Sequence, residues 1–199
     1  MRYNDFELHA GALDEAAQTA LVAEVLAAAE TAPFYEPMTA WGKPMSARQT
    51  SFGPLGWITD AKGYRYEPLH PVTKAPWPAI PRSLLDLWAR YADPDHQPDS
   101  CLVNLYRGEA RMGMHQDSDE ANLNAPVLGI SLGDTAVFRL GGVSRKDPSI
   151  TFKLNSGDVN VLTGASRRAY HGVDRIRAGS SQLVPGGGRI NLTLRRARG

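Results

Sequence analysis

Apolar residues recur at helical spacing in only two stretches, both in the first half of the chain. Leu21, Val22, Val25 and Leu26 form one stripe within an Ala-rich run, with Asp14 placed to cap its start and Pro33 to stop it. Leu84, Leu87, Trp88 and Tyr91 form the other, in a helix that starts near Pro81 and closes before Pro94. Between them, from Trp41 to Trp77, Gly, Pro and aromatic residues predominate, as in Gly53-Pro54-Leu55-Gly56-Trp57 and Lys62-Gly63-Tyr64-Arg65-Tyr66. So many Trp and Tyr predict short strands and turns rather than a disordered spacer. From residue 101 onward the pattern becomes one of short strands, over Cys101–Tyr106, Pro126–Leu132, Thr135–Leu140, Ile150–Leu154, Asp158–Leu162 and Arg189–Arg196. Turn signals separate them at Gly133-Asp134, Gly141-Gly142, Asn155-Ser156-Gly157-Asp158 and Pro185-Gly186-Gly187-Gly188. Even spacing of this kind predicts a sandwich or barrel. The expectation is one α+β domain over residues 1–199. About 1–95 supply N-terminal helices and an aromatic-rich flap, and about 96–199 a jelly-roll core.

Composition narrows the class. A chain of 199 residues is one domain's length and buries a core without staples. No run of about 18 apolar residues is present, so no membrane helix is expected. The first residues lack the apolar region of a signal peptide, which points to the cytoplasm. Cys101 is the single cysteine, excluding a disulfide framework, a CxxC redox pair and a cysteine-built zinc site. It is expected as a small buried group on its strand, and His9, His70 and His96 as surface residues. The net charge of +1 conceals an asymmetry: residues 1–100 carry 8 Lys/Arg against 13 Asp/Glu, and residues 101–199 carry 14 against 8. The basic half is suited to a polyanion, with Arg107, Arg111, Arg145, Lys146, Arg167 and Arg168 as candidates for a phosphate track; on charge alone an unevenly charged solvated surface is the favoured reading.

Three features carry chemistry. His115-Gln116-Asp117 places an imidazole and a carboxylate two apart, on one side of an extended strand, and His171 is a candidate third ligand. Two His and one carboxylate leave open positions for an octahedral Fe(II), and the same set is able to hold zinc with a catalytic water. In Arg189-Ile190-Asn191-Leu192-Thr193-Leu194-Arg195 the polar residues share one face, as at a wet sheet edge. Two arginines on one face also suit the two carboxylates of a small diacid. Asn104 and Tyr106, around Leu105, repeat the alternation and offer an amide and a phenol to carboxylate oxygens.

Together these elements resemble the AlkB family of Fe(II)/2-oxoglutarate-dependent dioxygenases, from about Met45 to Arg195. The resemblance rests on Leu55-Gly56-Trp57, Gly63-Tyr64-Arg65-Tyr66, Lys74-Ala75-Pro76-Trp77-Pro78-Ala79, Asn104-Leu105-Tyr106, His115-Gln116-Asp117-Ser118-Asp119-Glu120, Phe138-Arg139-Leu140-Gly141-Gly142, Tyr170-His171-Gly172 and the terminal Arg-x-Asn-x-Thr-x-Arg strand. It implies a double-stranded β-helix core. His115, Asp117 and His171 would ligate iron, and Asn104, Leu105, Tyr106, Arg189, Asn191, Thr193 and Arg195 would belong to the 2-oxoglutarate site. Trp57, Tyr64, Arg65 and Tyr66 would form a nucleotide-gripping flap. Asp119 would meet the base edge, and Arg145 the substrate or its backbone. Ser118 stands where the resemblance leads one to expect Lys.

The activity so implied is oxidative demethylation of bases such as 1-methyladenine and 3-methylcytosine in DNA, with RNA as an alternative, consuming O2 and releasing succinate, CO2 and formaldehyde. A single strand is favoured, because a methyl inside a duplex is out of reach unless the base is flipped. Trp57 stacked on a cationic methylated ring would gain about 0.5–2 kcal/mol. No membrane partner and a monomer are expected. Two alternatives remain open at this point: an oxygenase for a protein or small-molecule substrate, and a metal-holding binding module without catalysis.

Overall fold

The computed structural model describes residues 1–198. The described residues form strands β1 (Arg2–Tyr3), β2 (Phe6–His9), β3 (Arg48–Phe52), β4 (Gly56–Asp60), β5 (Gly63–Glu67), β6 (Ser100–Tyr106), β7 (Met112–His115), β8 (Val127–Gly133), β9 (Ala136–Leu140), β10 (Ile150–Leu154), β11 (Val159–Leu162), β12 (His171–Ile176) and β13 (Arg189–Arg195). The helices are α1 (Glu15–Thr31) and α2 (Arg82–Tyr91). Three antiparallel sheets result: seven strands in the order β1-β2-β11-β8-β13-β6-β3, four in the order β10-β9-β12-β7, and the hairpin β4-β5.

Both helices begin and end as their sequences dictate. Asp14 stays extended and its Oδ1 accepts the Ala17 N–H at 2.8 Å, satisfying one of the donors that a helix start leaves free. α1 stops two residues before Pro33. Pro81 sits just ahead of α2, its ring holding φ at −53°. Leu21, Val22 and Val25 of α1 and Leu84 and Trp88 of α2 join one buried cluster with Val103, Leu105, Ile130, Leu192 and Leu194. In β6, β8 and β13 side chains alternate between faces, so this cluster lies on the outer face of the large sheet. With helices outside and a second sheet inside, these antiparallel strands are buried on both sides.

The inner face divides in two. Tyr106, Val127 and Leu162 of the large sheet meet Phe138, Leu140 and Val173 of the small one in a second cluster. Elsewhere it is polar or bare: Gln49, Asn104, Asn191 and Ser131 lie in register across β3, β6, β13 and β8. Gly129 on β8 leaves room for the Asn160 side chain, which a Cβ there would strike. A cavity stays open between the sheets as a result.

Several placements differ from expectation. The N-terminal segment contributes sheet as well as helix, since β2 pairs with β11 through Phe6↔Leu162. β7 and β12 carry no readable alternation: β7 is short and contains Gly113, and β12 is bulged between Val173 and Arg175. His70 is fully buried rather than on the surface. Its Nδ1 accepts the Val72 and Thr73 N–H groups at 3.1 Å, and its Nε2–H donates to the Pro33 carbonyl at 2.9 Å. It thereby fastens the loop before α2 to the end of α1. Among the described residues, no helix is long and apolar enough to cross a membrane.

Candidate active site

β7 ends at His115 and β12 begins at His171, and the two residues are register partners. Antiparallel pairing therefore sets the imidazoles side by side, with ring centroids 4.5 Å apart. Asp117 is not in a strand, as its spacing from His115 suggested. β7 stops at His115, and the chain beyond is held by other means. Gln116 donates to the Arg168 carbonyl at 2.6 Å, and Arg167 donates to the Asp117 carbonyl at 2.7 Å. The turn still delivers the carboxylate to the imidazoles.

Ligand atoms of His115, Asp117 and His171 all lie within 4.8 Å of one another. Asp117 Oδ1 is 3.6 Å from His115 Nε2, and Oδ2 is 3.8 Å from His171 Nε2. His115 Nδ1 faces the Gly113 carbonyl at 2.9 Å and His171 Nδ1 the Ala169 carbonyl at 3.0 Å. A carbonyl only accepts, so each ring keeps its proton on Nδ1 and turns the Nε2 lone pair inward. Burial, reinforced by His115, pushes His171 down to about 4 and keeps it neutral. Burial opposes ionisation of Asp117, yet Arg195 and the two imidazoles hold its carboxyl well below the usual range. In His115 burial is outweighed by the Asp117 carboxylate and the shift is upward, so this imidazole gives up a proton when a metal takes its place. Two imidazole Nε2 atoms and one anionic oxygen on one side of a centre are a donor set that fits Fe(II).

A cavity of about 500 Å³ opens on these three residues. From the large sheet, Asn104, Tyr106, Asn191, Thr193 and Arg195 reach its wall. Leu105 does not: alternation sends it to the outer cluster. Arg189 stands behind Asn191, fully buried. It donates to Ser131 Oγ at 2.7 Å and Asn191 Oδ1 at 3.1 Å, and to the Asp134 and Leu154 carbonyls at 3.3 Å. Its Nε has no partner, and burial pushes this guanidinium down to about 10. Arg195 pairs with Asp117 Oδ2 at 2.8 Å and lies 3.1 Å from Glu120 Oε1, while its buried Nη1 has no partner. Arg195 on the wall keeps an unmet donor that fits a ligand carrying a carboxylate, and Arg189, which is not itself on the wall, keeps one behind it.

The hairpin β4-β5 brings Trp57, Tyr64 and Tyr66 to the cavity. Trp57 and Tyr64 are stacked, 5.4 Å apart and 14° from parallel. The Tyr66 hydroxyl donates to Glu120 Oε1 at 2.5 Å, so its one donor is committed and the ring and the oxygen's lone pairs remain for a ligand. Arg65 is on the other face of the hairpin, bonded to Asp60 at 2.8 Å and Glu67 at 2.7 Å, and the structure does not bring it to the cavity. Asp119 and Arg145 do reach the wall, the latter with its guanidinium 4.8 Å above the Tyr170 ring.

Two residues acquire roles that the sequence did not disclose. Glu120 Oε2 accepts from Arg167 at 3.0 Å, and both side chains are buried. Arg167 therefore leaves the candidate phosphate track. Nothing in Ser166-Arg167-Arg168 distinguishes the buried arginine from its exposed neighbour; only the short 3-10 helix at Gly164–Arg168 turns one inward. Gln49 is the other, donating to Asn104 Oδ1 at 2.9 Å on the cavity wall. The Asn104 Nδ2–H groups are thus left to face the cavity. A polar stretch such as Arg48-Gln49-Thr50-Ser51 carries no signal of a core strand.

The chain is similar to known proteins over nearly its whole length. Residues 5–195 match the family described as the 2OG-Fe(II) oxygenase superfamily. An Alpha-ketoglutarate-dependent dioxygenase AlkB homolog of Caulobacter vibrioides is 64% identical over 193 residues, which are 97% of this chain and 88% of that protein. The Alpha-ketoglutarate-dependent dioxygenase AlkB of Escherichia coli is 42% identical over 181 residues, covering 89% and 83%. The solved structure of OsALKBH1 superposes with a TM-score of 0.79 at 28% identity, over 98% of this chain and 99% of the other.

Proposed function

This chain belongs to the 2OG-Fe(II) oxygenase superfamily and, within it, to the AlkB dioxygenases, and from that premise we propose how its own residues divide the work. It is an Fe(II)- and 2-oxoglutarate-dependent dioxygenase that removes alkyl groups oxidatively from nucleic-acid bases. The two facing sheets are then read as a double-stranded β-helix, with the hairpin β4-β5 as its nucleotide flap.

The observation that carries the reading is the position of Asp117, whose one carboxylate faces both imidazoles and the Arg195 guanidinium. His115, Asp117 and His171 would hold Fe(II). Asn104, Tyr106, Asn191, Thr193, Arg189 and Arg195 would receive 2-oxoglutarate, the two arginines taking its carboxylates through their unmet donors. When bound, the metal and co-substrate supply the oxidation of an N-alkyl carbon by O2, with succinate, CO2 and, from a methyl, formaldehyde as products. The protein's share is to place that carbon beside the metal and to exclude other chemistry.

Trp57 and Asp119 would provide selectivity. A 1-methyladenine or 3-methylcytosine ring is cationic, so an indole face and a carboxylate both favour it over the neutral base. Tyr64 backs the indole by stacking. Arg145 lies at the rim, where a phosphate of the same nucleotide would pass. DNA as a single strand is the substrate favoured here, with the enzyme acting as a monomer.

Mass spectrometry of oligonucleotides carrying 1-methyladenine or 3-methylcytosine tests the reading. Loss of the methyl should require Fe(II), 2-oxoglutarate and O2 together. Intact oligonucleotide beside continued 2-oxoglutarate consumption would instead favour a protein or small-molecule substrate.

A further inference from the structure

Trp41 is 87% exposed, more than any other large apolar side chain described. It stands at the tip of a tight turn that its own backbone closes. The Gly42 N–H donates to the Thr39 carbonyl at 2.9 Å, and the Thr39 N–H to the Lys43 carbonyl at 2.8 Å. The Lys43 N–H adds a bond to Thr39 Oγ1 at 3.1 Å, and Gly42 takes the φ of 73° that the turn requires. An indole is thus held out in water on a preformed support, a costly place for a large apolar ring without a partner.

The turn is fixed to the cavity rim on two sides. Thr59 of the flap hairpin donates to the Met38 carbonyl at 3.1 Å. Met45, four residues past Trp41, bonds to the Pro37 carbonyl at 2.8 Å and lines the cavity. Ser46 exchanges hydrogen bonds with the Arg111 backbone, next to cavity-lining Met112. Met38 and Tyr64 are also partly exposed on this rim, while Lys43 and Arg111 are exposed and form no ion pair with any described carboxylate. At about 3.3 Å per residue, four residues place the Cα of Trp41 at most about 13 Å from that of Met45, a span of one or two nucleotides.

We propose that Trp41 is a second base-stacking site, taking a base next to the one that enters the cavity, with Lys43 and Arg111 against the flanking phosphates. The inference rests on the nucleic-acid reading above. Base stacking on an aromatic side chain is sequence-tolerant, so this site would strengthen binding of any single strand around a lesion.

Turnover and binding of two substrates test it: the 1-methyladenine mononucleotide, which has no neighbour, and a ten-residue single strand with the same lesion at its centre. Trp41→Ala should raise KM and the anisotropy-measured Kd for the strand about tenfold, with kcat and mononucleotide turnover unchanged. Trp41→Phe should restore most of the loss. The substitution removes a solvent-exposed side chain, so folding should be unaffected. An unchanged KM for the strand overturns the proposal. So does an equal loss on both substrates, and so does an altered sedimentation coefficient with normal turnover, which would mark a self-association face. A wild-type enzyme that demethylates neither substrate would overturn the nucleic-acid reading itself, and this inference with it.

Discussion

The indole N–H of Trp57 donates to Oδ2 of Asp119 at 2.8 Å, joining the flap to the loop that follows the metal ligand Asp117. Two residues expected to grip a base separately are thus one unit. Asp119 orients the ring that would stack on the base, and its Oδ1 remains free for the base edge.

Asp119→Asn should therefore act through both partners. It keeps the size of the side chain but removes the charge that favours a cationic base. The expected result is a fall in kcat/KM of about tenfold for 1-methyladenine, with a smaller loss for an alkylated base that is neutral. Parallel kinetics on the two lesions check this, and an equal loss on both would argue for a merely structural carboxylate.

Glu120 joins three parts of the molecule: Tyr66 of the flap, Arg195 of β13 and Arg167 ahead of His171. Glu120→Gln leaves a buried arginine without its counter-charge, a change that costs about 3–5 kcal/mol where it has been measured. Urea unfolding of the metal-free protein should show a loss of that order. Pairing it with Arg167→Met should recover part of the loss, because no uncompensated charge then remains. Independent, additive losses in the double variant would mean that the two side chains do not act as a pair.

How much of this was legible depends on whether the information is local. The caps and stripes of α1 and α2 are local, and so is the alternation that sorts Asn104 and Tyr106 from Leu105, and Arg189, Asn191, Thr193 and Arg195 from Ile190, Leu192 and Leu194. These faces were readable, although alternation alone did not say which one meets water. Asp117 shows the limit: its two-residue spacing from His115 suggested a strand, yet it reaches the centre from a turn held by Gln116 and Arg167. Arg65 was grouped with Tyr64 and Tyr66 through a shared motif, although period two sends it to the opposite face. The pairing of Glu120 with Arg167 spans 47 residues and exists only once the 3-10 helix is packed.

His171 provides a pH dependence. Its folded value of about 4 lies below the ordinary histidine value, so between about pH 6.5 and 4 the unfolded chain binds a proton that the folded chain refuses. Stability is then fully present above pH 6.5 and falls as the medium is acidified through this window. At pH 5 the loss from this imidazole alone is on the order of 2 kcal/mol, or about 4–8 °C in Tm for a chain of this size, while His115, in which Asp117 outweighs burial, shifts upward and offsets part of it. Comparing metal-free wild type with His171→Gln isolates the effect from the carboxylates. The wild type should lose more Tm than the variant between pH 7 and 5, and parallel curves would contradict it.

Arg189 supplies the most direct test of the co-substrate site. It is buried among neutral acceptors, with one donor unmet and no carboxylate in ion-pair range among the described residues. Such a group is kept charged at a cost, and a carboxylate from outside would offset it. A hydrogen bond to a charged group contributes about 1.5–3 kcal/mol, so Arg189→Met should raise KM for 2-oxoglutarate by about 10- to 150-fold. Arg189→Lys keeps the charge but not the planar fork, and should fall between. The rise in Tm on adding 2-oxoglutarate to the metal-loaded wild type should shrink in the same order. Metal affinity measured without 2-oxoglutarate should not move, because Arg189 makes no hydrogen bond to His115, Asp117 or His171. A variant that binds 2-oxoglutarate normally would place the distal carboxylate elsewhere, and a variant that loses metal as well would show that Arg189 holds the sheet rather than the ligand.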